Sequence, residues 1–308
     1  MLSLAKLCFL LLASLALLKT GNGFVQTLNA GSSFVNTKTG LFSTATSGNS
    51  YVNIHTNGDG LTINDPSNGY VTVPILPPLR NSYYALRHGQ SLANLEGIIS
   101  SDVLVGTTRH GLTSSGRAQA RKATVPLLSM IAGDGFTFED LVFISSNFTR
   151  ARETAEETIR AIDRIIEYEE EPVATELPSE NVPSHQIPLA IFPGLRERYF
   201  GDLDGTVLPN YNKVWPEDVQ NAQHSGYGVE SVNDVCRRIE ETILEIDQQY
   251  QNKAIVLTSH ADTLQITQCY LAGVDPRLFS QYRFKNAEVR KLAQDPSCIP
   301  SPMPLSYQ

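Results

Sequence analysis

Three short apolar stretches of the sequence end close to side chains that bind oxyanions. The stretches and the residues that follow them are 82–86 with Arg87 and His88, 141–145 with Arg150, and 254–259 with His260. In open α/β sheets, ligands bind beyond the carboxyl ends of the strands, so these residues can meet in one crevice although they are far apart in the chain. Two arginines and two histidines around one anion form a phosphate pocket, because charge-assisted hydrogen bonds from planar guanidinium groups are strong.

Helical patterns alternate with these apolar stretches. The predicted helices run from Thr113 to about Ala132, from Thr149 to about Tyr168, over 231–249 and over 261–271. Short buried strands that alternate with helices predict a mostly parallel sheet with helices on both faces. The expected fold class is therefore α/β, with a single three-layer domain over residues 76–294.

Both ends of the chain look unfit for a hydrophobic core. The apolar run from Leu7 to Leu18 is shorter than the ~20 residues of a bilayer span. A cleavable signal peptide over residues 1–23 is expected, and an uncleaved anchor is the alternative. Residues 24–75 are rich in Ser, Thr, Asn and Gly, which predicts a disordered linker or a transit-like segment. Four prolines in residues 295–308 predict a disordered tail.

The leader predicts entry into the secretory pathway. Phe24 follows the apolar run, and no Asp or Glu occurs from there to Gly58. One expected destination is secretion. The other is a plastid reached through the secretory system, because this bipartite order resembles the targeting leaders of algae with such plastids. A fluorescent fusion of residues 1–75 distinguishes the two by its location.

Composition argues against several partners. The chain has 24 Lys+Arg and 32 Asp+Glu, a formal charge of -8, so nucleic acid and anionic membranes repel it. We therefore expect no nucleic-acid partner and, after removal of the signal peptide, no membrane partner. Cys236, Cys269 and Cys298 show no C-x-x-C spacing, and the sequence has no H-E-x-x-H. The sequence thus predicts no metal site and no cofactor.

Several motifs occur in the order of a known family. They are LRHG at 86–89, SSNFTRARETA at 145–155, LRERYFGDLDG at 195–205, GVESVNDV at 228–235, SHADTLQI at 259–266 and KNAEVRKL at 285–292. With them the chain resembles the histidine phosphatase superfamily, in its phosphoglycerate-mutase-like branch. The resemblance runs from about Tyr83 to Leu292 and implies a phosphoglycerate-mutase-like fold.

The resemblance implies a metal-independent phosphatase that acts on a small phosphorylated substrate. His88 is implied as the nucleophile, which forms a phosphohistidine. Neutral imidazole is nucleophilic near neutral pH because its unperturbed pKa is ~6.5. Glu197 is implied as the proton donor to the leaving oxygen and then as the base that activates water. That role needs a carboxyl group kept protonated by burial or by a like charge.

The implied phosphate-binding residues are Arg87, Asn94, Arg150 and His260. The arginines and His260 would spread the charge of the transferring phosphoryl group, and Asn94 would orient it.

Three residues compete with these assignments. His110 lies in a second RHG string, but no apolar run precedes it. Arg152 could replace Arg150 as phosphate ligand, although the motif favours Arg150. Asp262 competes with Glu197 as proton donor, because in the acid-phosphatase branch an acid beside the second histidine has that role. Here Ala261 intervenes, so Glu197 is preferred.

Two other functions stay open at this point. One is a phosphoglycerate mutase, although the segment after Asn94 matches glycolytic mutases poorly. The other is a non-catalytic protein that binds a phosphorylated ligand, although such relatives usually lose the nucleophile or the acid. Substrate selectivity is expected to depend on the loops at 97–112 and 202–228.

Overall fold

The computed structural model of the chain describes residues 56–57, 60–61, 69, 71–170 and 187–304. The predicted signal peptide and most of the predicted linker lie outside the described residues. Thr56–Asn57 and Gly60–Leu61 pair as a short antiparallel hairpin. None of the helices in the described ranges is long and apolar enough to cross a bilayer.

A five-stranded sheet forms the centre of the fold. In chain order its strands β1 to β5 are Ser82–Arg87, Leu141–Ser145, Leu189–Ile191, Ala254–Ser259 and Val289–Leu292. The spatial order is β3-β2-β4-β1-β5, and all neighbours are parallel except β1 with β5. The three predicted stretches are β1, β2 and β4, side by side in the middle of the sheet. Their carboxyl ends therefore share one edge.

Seven α-helices connect and cover the strands in the described chain. In chain order, α1 to α7 are Leu92–Glu96, Val103–Thr108, Ser114–Gly133, Thr149–Glu170, Trp215–Gln220, Val232–Gln249 and Ala261–Leu271. The four predicted helices correspond to α3, α4, α6 and α7. The short helices α1, α2 and α5 were not predicted, and all three lie beyond the carboxyl edge of the sheet.

Alternation along the strands creates the three layers. Successive strand residues point to opposite faces of a sheet. Tyr83 and Ala85 of β1 pack in one apolar cluster with α6 and α7, whereas Tyr84 and Leu86 pack in another with α3 and α4. The same alternation holds in β2 and β4, so both faces are buried and the strands read as continuous apolar runs. The predicted α/β class is confirmed.

Two glycines bring the end of β1 close to the start of α3. Thr113 caps α3, and its Oγ1 accepts a hydrogen bond from the Gly116 amide at 3.0 Å. A Cβ on Gly89 would overlap the backbone of Gly116, and a Cβ on Gly116 would overlap the carbonyl oxygen of Gln90. The glycine of the 86–89 motif is thus needed for close packing of backbone on backbone.

A third apolar cluster lies outside the two main layers. Its buried members are Ile99, Phe200, Leu203, Val214 and Val229. These residues come from the two loops that were expected to control selectivity, or from next to them. Both loops therefore share a small apolar core, and they cover the carboxyl edge of the sheet.

The domain extends beyond both predicted limits. Val71 and Val73, inside the predicted linker, are buried in the cluster with α6 and α7. At the other end, residues 296–298 form a 3₁₀ turn and Ile299 packs against the same cluster. The Met303 amide donates a hydrogen bond to the Gln281 carbonyl at 2.9 Å. The tail predicted as disordered has a defined structure up to residue 304, because the partly buried Ile299 and this backbone hydrogen bond hold it against the domain.

Candidate active site

His88 follows β1 and is held in register with the neighbouring strand. Its amide donates a hydrogen bond to the Ser259 carbonyl of β4 at 2.9 Å. The side chain is only 3% exposed, and its Nδ1 lies 2.7 Å from the Gly89 carbonyl oxygen. A carbonyl oxygen only accepts, so Nδ1 carries the hydrogen and Nε2 keeps a lone pair. The Arg150 Nε donates to that Nε2 at 3.3 Å.

The environment of His88 keeps the ring neutral. Burial lowers its pKa well below the usual value, and the positive charges of Arg150 and Arg87 lower it further. An imidazolium here would be both desolvated and repelled. The result is a neutral imidazole whose basic nitrogen faces two cations, which suits a nucleophile for an anionic electrophile.

The two predicted arginines are both fixed by main-chain carbonyls. The Arg87 Nη1 donates to the Phe284 carbonyl at 2.7 Å, and the Arg150 Nη2 donates to the Ser100 carbonyl at 2.8 Å. The Arg87 Nε is buried and has no hydrogen-bond partner within the described chain. Burial lowers the pKa of both, that of Arg150 to about 10, so both remain cationic near neutral pH. A buried cation with unused donors binds an oxyanion strongly.

His260 lies beside His88 but behind the cavity wall. The two ring centroids are 5.1 Å apart, and the His260 Nε2 lies 2.9 Å from the Ser146 Oγ. The ring is fully buried, and it does not line the cavity. Burial and then Arg150 lower its pKa well below the usual value. In this arrangement His260 is neutral, so the positive charge at the site comes from the arginines. Its predicted contact with phosphate stays a prediction.

Both candidate acids line the cavity. The Glu197 Oε1 accepts hydrogen bonds from the Arg198 amide at 2.9 Å and from the Thr263 amide at 3.3 Å. The Asp262 Oδ2 accepts from the Trp215 Nε1 at 3.0 Å. Burial and then the nearby Glu197 raise the pKa of Asp262 to about 7. Two buried carboxyl groups near each other cannot both ionise easily. Asp262 therefore holds a proton up to near neutral pH.

Most of the predicted residues meet in one cavity of about 180 Å³. Those that line it are Arg87, His88, Asn94, Arg150 and Glu197. The Asn94 Oδ1 accepts from the Ser91 amide at 3.1 Å and from the Asn286 Nδ2 at 3.2 Å. Its Nδ2 is therefore the group that can donate to a phosphate oxygen. Within the described residues, no three His, Cys, Asp or Glu side chains cluster as metal ligands do.

Sequence reasoning missed several residues of the cavity wall. They are Ile98, Leu208, Tyr211, Trp215, Gln265, Arg283 and Phe284. Tyr211 and Trp215 stack with ring centroids 4.7 Å apart. Trp215 is the single tryptophan of the chain and lies in the 202–228 loop. This tryptophan was the one feature of the sequence that could have indicated the wall, since aromatic side chains are enriched where ligands bind.

The competing residues His110 and Arg152 do not line the cavity. Arg152 is half exposed and pairs with Glu156 at 3.7 Å. His110 has a φ of 52°, and its Nδ1 lies 2.8 Å from the Ser100 Oγ. Ser100 also accepts from Arg150 through its carbonyl, so His110 supports the segment that holds Arg150. Neither residue is placed to act as nucleophile or phosphate ligand.

A known family accounts for this arrangement. A family model described as the histidine phosphatase superfamily (branch 1) matches residues 83–178 and 179–299, which is most of the chain. The chain belongs to this superfamily. The predicted membership is confirmed. No curated protein sequence matches the chain.

The chain is similar to solved structures at low sequence identity, and two of them reach a TM-score of 0.50. Mycobacterial glucosyl-3-phosphoglycerate phosphatase aligns with a TM-score of 0.50 and 18% identity over 71% of this chain and 94% of that chain. A structure named mycobacterial hydrolase 2 has a TM-score of 0.50 and 19% identity over 68% and 80% of the two chains. A phosphoserine phosphatase from Entamoeba histolytica, solved with 3-phosphoglyceric acid, has a TM-score of 0.49 and 19% identity over 68% and 89%.

The raised pKa of Asp262 predicts a specific pH dependence of stability. An aspartate in the unfolded chain titrates near 3.8, whereas Asp262 in the folded protein titrates at about 7. Its contribution to stability is fully present below the unfolded pKa and is lost as pH rises through about 7. Asp262→Asn cannot ionise and keeps an acceptor for Trp215. The stability of the variant relative to wild type should therefore increase between about pH 4 and pH 7 and level off above that. Urea unfolding across this range measures it, and parallel profiles for the two proteins would contradict it.

Proposed function

We propose that the protein hydrolyses a small phosphomonoester through a phosphohistidine on His88, without a metal ion. The observation that carries this proposal is the geometry of His88. The Gly89 carbonyl holds the proton on Nδ1, so the Nε2 lone pair is directed at the buried Arg150, and Arg87 lines the same cavity. Arg87 and Arg150 supply the positive charge that a transferring phosphoryl group needs. Fixed charges in a desolvated site stabilise that group strongly.

The first step transfers the phosphoryl group to His88. The Nε2 lone pair forms a bond to phosphorus while the bond from phosphorus to the ester oxygen breaks. The leaving oxygen takes a proton from Glu197, our preferred acid, or from Asp262. The His88 Nδ1–H stays on the Gly89 carbonyl, which stabilises the positive charge that develops on the ring.

The second step restores the enzyme. The acid that lost its proton is now a carboxylate, and it takes a proton from water as the water oxygen attacks phosphorus. The bond from phosphorus to Nε2 breaks, and inorganic phosphate leaves. Over both steps one water molecule is consumed and no proton is gained or lost by the protein, as ester hydrolysis requires.

Family membership supports this reaction. Two alternative functions, a mutase and a non-catalytic binder, predict different results. A mutase would return the phosphoryl group to a second position of phosphoglycerate, whereas we propose that water is the acceptor. A coupled mutase assay with the bisphosphate cofactor separates the two. A non-catalytic binder would need no nucleophile, yet His88, both arginines and both acids line the same cavity.

Replacement of His88 tests the proposal directly. His88→Ala should abolish hydrolysis of a phosphomonoester, and brief incubation of wild type with ³²P-labelled substrate should give an acid-labile phosphohistidine at residue 88. His110→Ala is the matched control, because His110 lies in the second RHG string but outside the cavity. That variant should still be labelled. Label on a serine or aspartate, or a fully active His88→Ala protein that folds like wild type, would overturn the mechanism.

The choice between the two acids is tested by leaving groups of different basicity. Glu197→Gln should lower kcat by ~10²–10⁴-fold for an alkyl phosphate, which needs protonation as it leaves. An aryl phosphate with an acidic phenol should lose much less. Asp262→Asn serves as the comparison, since it changes the other carboxyl of the cavity by the same single atom. If Asp262→Asn shows the leaving-group dependence and Glu197→Gln does not, Asp262 is the acid.

A further inference from the structure

The charges of the cavity divide into those that suit the phosphate and those that face the rest of the substrate. Arg87 and Arg150, beside His88, match the two negative charges of a phosphomonoester dianion. Beyond them the cavity is also lined by Glu197, Asp262 and Arg283. Arg283 lies over the Trp215 ring at 5.1 Å, and its Nε donates to the Ser280 carbonyl at 3.0 Å. A second anionic group on the substrate would meet one cation and two carboxyl groups, so the charge pattern does not favour it.

The remaining wall of the cavity is apolar and aromatic. We define the apolar wall as Ile98, Leu208, Tyr211, Trp215 and Phe284, all of which line the cavity. Tyr211 stacks on Trp215, and Phe200 meets Tyr211 edge to face at 4.8 Å. Burial and the nearby carboxyl groups raise the pKa of Tyr211 well above its usual value, so its phenol stays uncharged. The wall thus offers a rigid surface to an apolar group.

Apolar side chains continue from this wall to the protein surface. Leu208 lines the cavity and is 37% exposed, and the adjacent Val207 is 58% exposed. Val207 pairs with Ile98, and the Leu208 amide donates to the Gly97 carbonyl at 3.1 Å. These contacts join the 97–112 and 202–228 loops at the cavity mouth. We call the exposed side chains of Val207 and Leu208 the lip of the cavity. Leu95 of α1, two residues before Gly97, is 68% exposed. Exposed apolar groups that continue a ligand cavity mark a binding surface.

We infer that the preferred substrate is a phosphomonoester whose leaving group is uncharged and apolar, and which lies along the apolar wall towards Leu208. This inference rests on the proposed function and adds the substrate class to it. The phosphate would bind at His88, Arg87 and Arg150, and the ester oxygen would lie near the two carboxyl groups. The hydrocarbon part would then contact Tyr211, Trp215 and Leu208 and displace water from them.

A series of linear alkyl phosphates tests the inference. Butyl, hexyl and octyl phosphate share the same leaving-group chemistry, so differences in kcat/KM report contacts with the hydrocarbon. Full burial of one methylene corresponds to about a fourfold gain, from ~0.8 kcal/mol. We expect kcat/KM to rise two- to fourfold per added methylene until the chain passes the lip. A carboxyalkyl phosphate of the same length as hexyl phosphate should be at least tenfold worse.

Two variants locate the effect. Leu208→Ser should flatten the dependence on chain length, so that octyl phosphate loses a larger factor in kcat/KM than butyl phosphate does. Val125→Ser is the matched control, because Val125 is also exposed but lies on α3, away from the cavity. That variant should keep the full dependence.

The outcomes separate the inference from the proposed function. The protein could hydrolyse p-nitrophenyl phosphate but show no chain-length dependence in the alkyl series, or prefer the carboxyalkyl phosphate. Either result would overturn the inference and leave the phosphatase proposal intact. If wild type is a dimer and Leu208→Ser is a monomer with unchanged chain-length dependence, the lip serves self-association. That result would also overturn the inference. No hydrolysis of any phosphomonoester would overturn both proposals.

Discussion

The hydrogen bond between the His88 Nδ1 and the Gly89 carbonyl determines what the rest of the site can do. It places the proton of a neutral imidazole on the nitrogen that faces the backbone, so the lone pair lies on the other nitrogen, which accepts from the Arg150 Nε at 3.3 Å. The Gly89 peptide that accepts this bond packs closely on Gly116, and its amide donates to the Thr154 Oγ1 at 3.1 Å. The tightly packed backbone at the end of β1 thus includes the carbonyl that sets the tautomer of His88.

Buried charge around this histidine is stabilised by an outer set of contacts. Arg198 is fully buried and forms two hydrogen bonds with Asp218, at 2.6 and 2.8 Å, while its amide donates to Glu197. Removing one partner of such a pair would leave an uncompensated buried charge, which is costly. The pair therefore fixes the segment that carries Glu197. On the other side, Ser100 and His110 hold Arg150. The nucleophile, the cations and the acids are each positioned by hydrogen bonds with neighbouring residues, and some of these, such as Ser100, Trp215 and Phe284, line the cavity themselves.

The local pattern of the sequence predicts the parts of the fold with regular periodicity. β1, β2 and β4 are buried on both faces, so their apolar runs are continuous, and α3 begins at a recognisable cap, Thr113. The candidate residues at the ends of these strands follow from that layout, and the family motifs add Glu197 and Asn94. The apolar wall is different. Tyr211 and Trp215 lie in a 3₁₀ turn and a short helix, and their positions depend on Phe200 and Phe279, which are distant in sequence. No local pattern encodes that packing.

The predicted domain limits at residues 76 and 294 are wrong because long-range packing also decides where the domain ends. Val71, Val73 and Ile299 lie in segments rich in proline or polar residues. The two valines are nevertheless buried in the cluster with α6 and α7, and Ile299 packs partly buried against it. Composition averages over such segments and misses single anchoring side chains. His260 shows a related limit, because the motif predicts its neighbourhood but not its position behind the cavity wall.

The tautomer of His88 is the most direct measurement of the central claim. Two-bond ¹H–¹⁵N correlation spectra of histidine-labelled protein report which ring nitrogen carries hydrogen, and the His88→Ala spectrum assigns the signals. We predict a neutral ring at about pH 7, protonated on Nδ1 and unprotonated on Nε2, with a pKa well below the usual ~6.5. A ring protonated on Nε2, or an imidazolium at about pH 7, would contradict it.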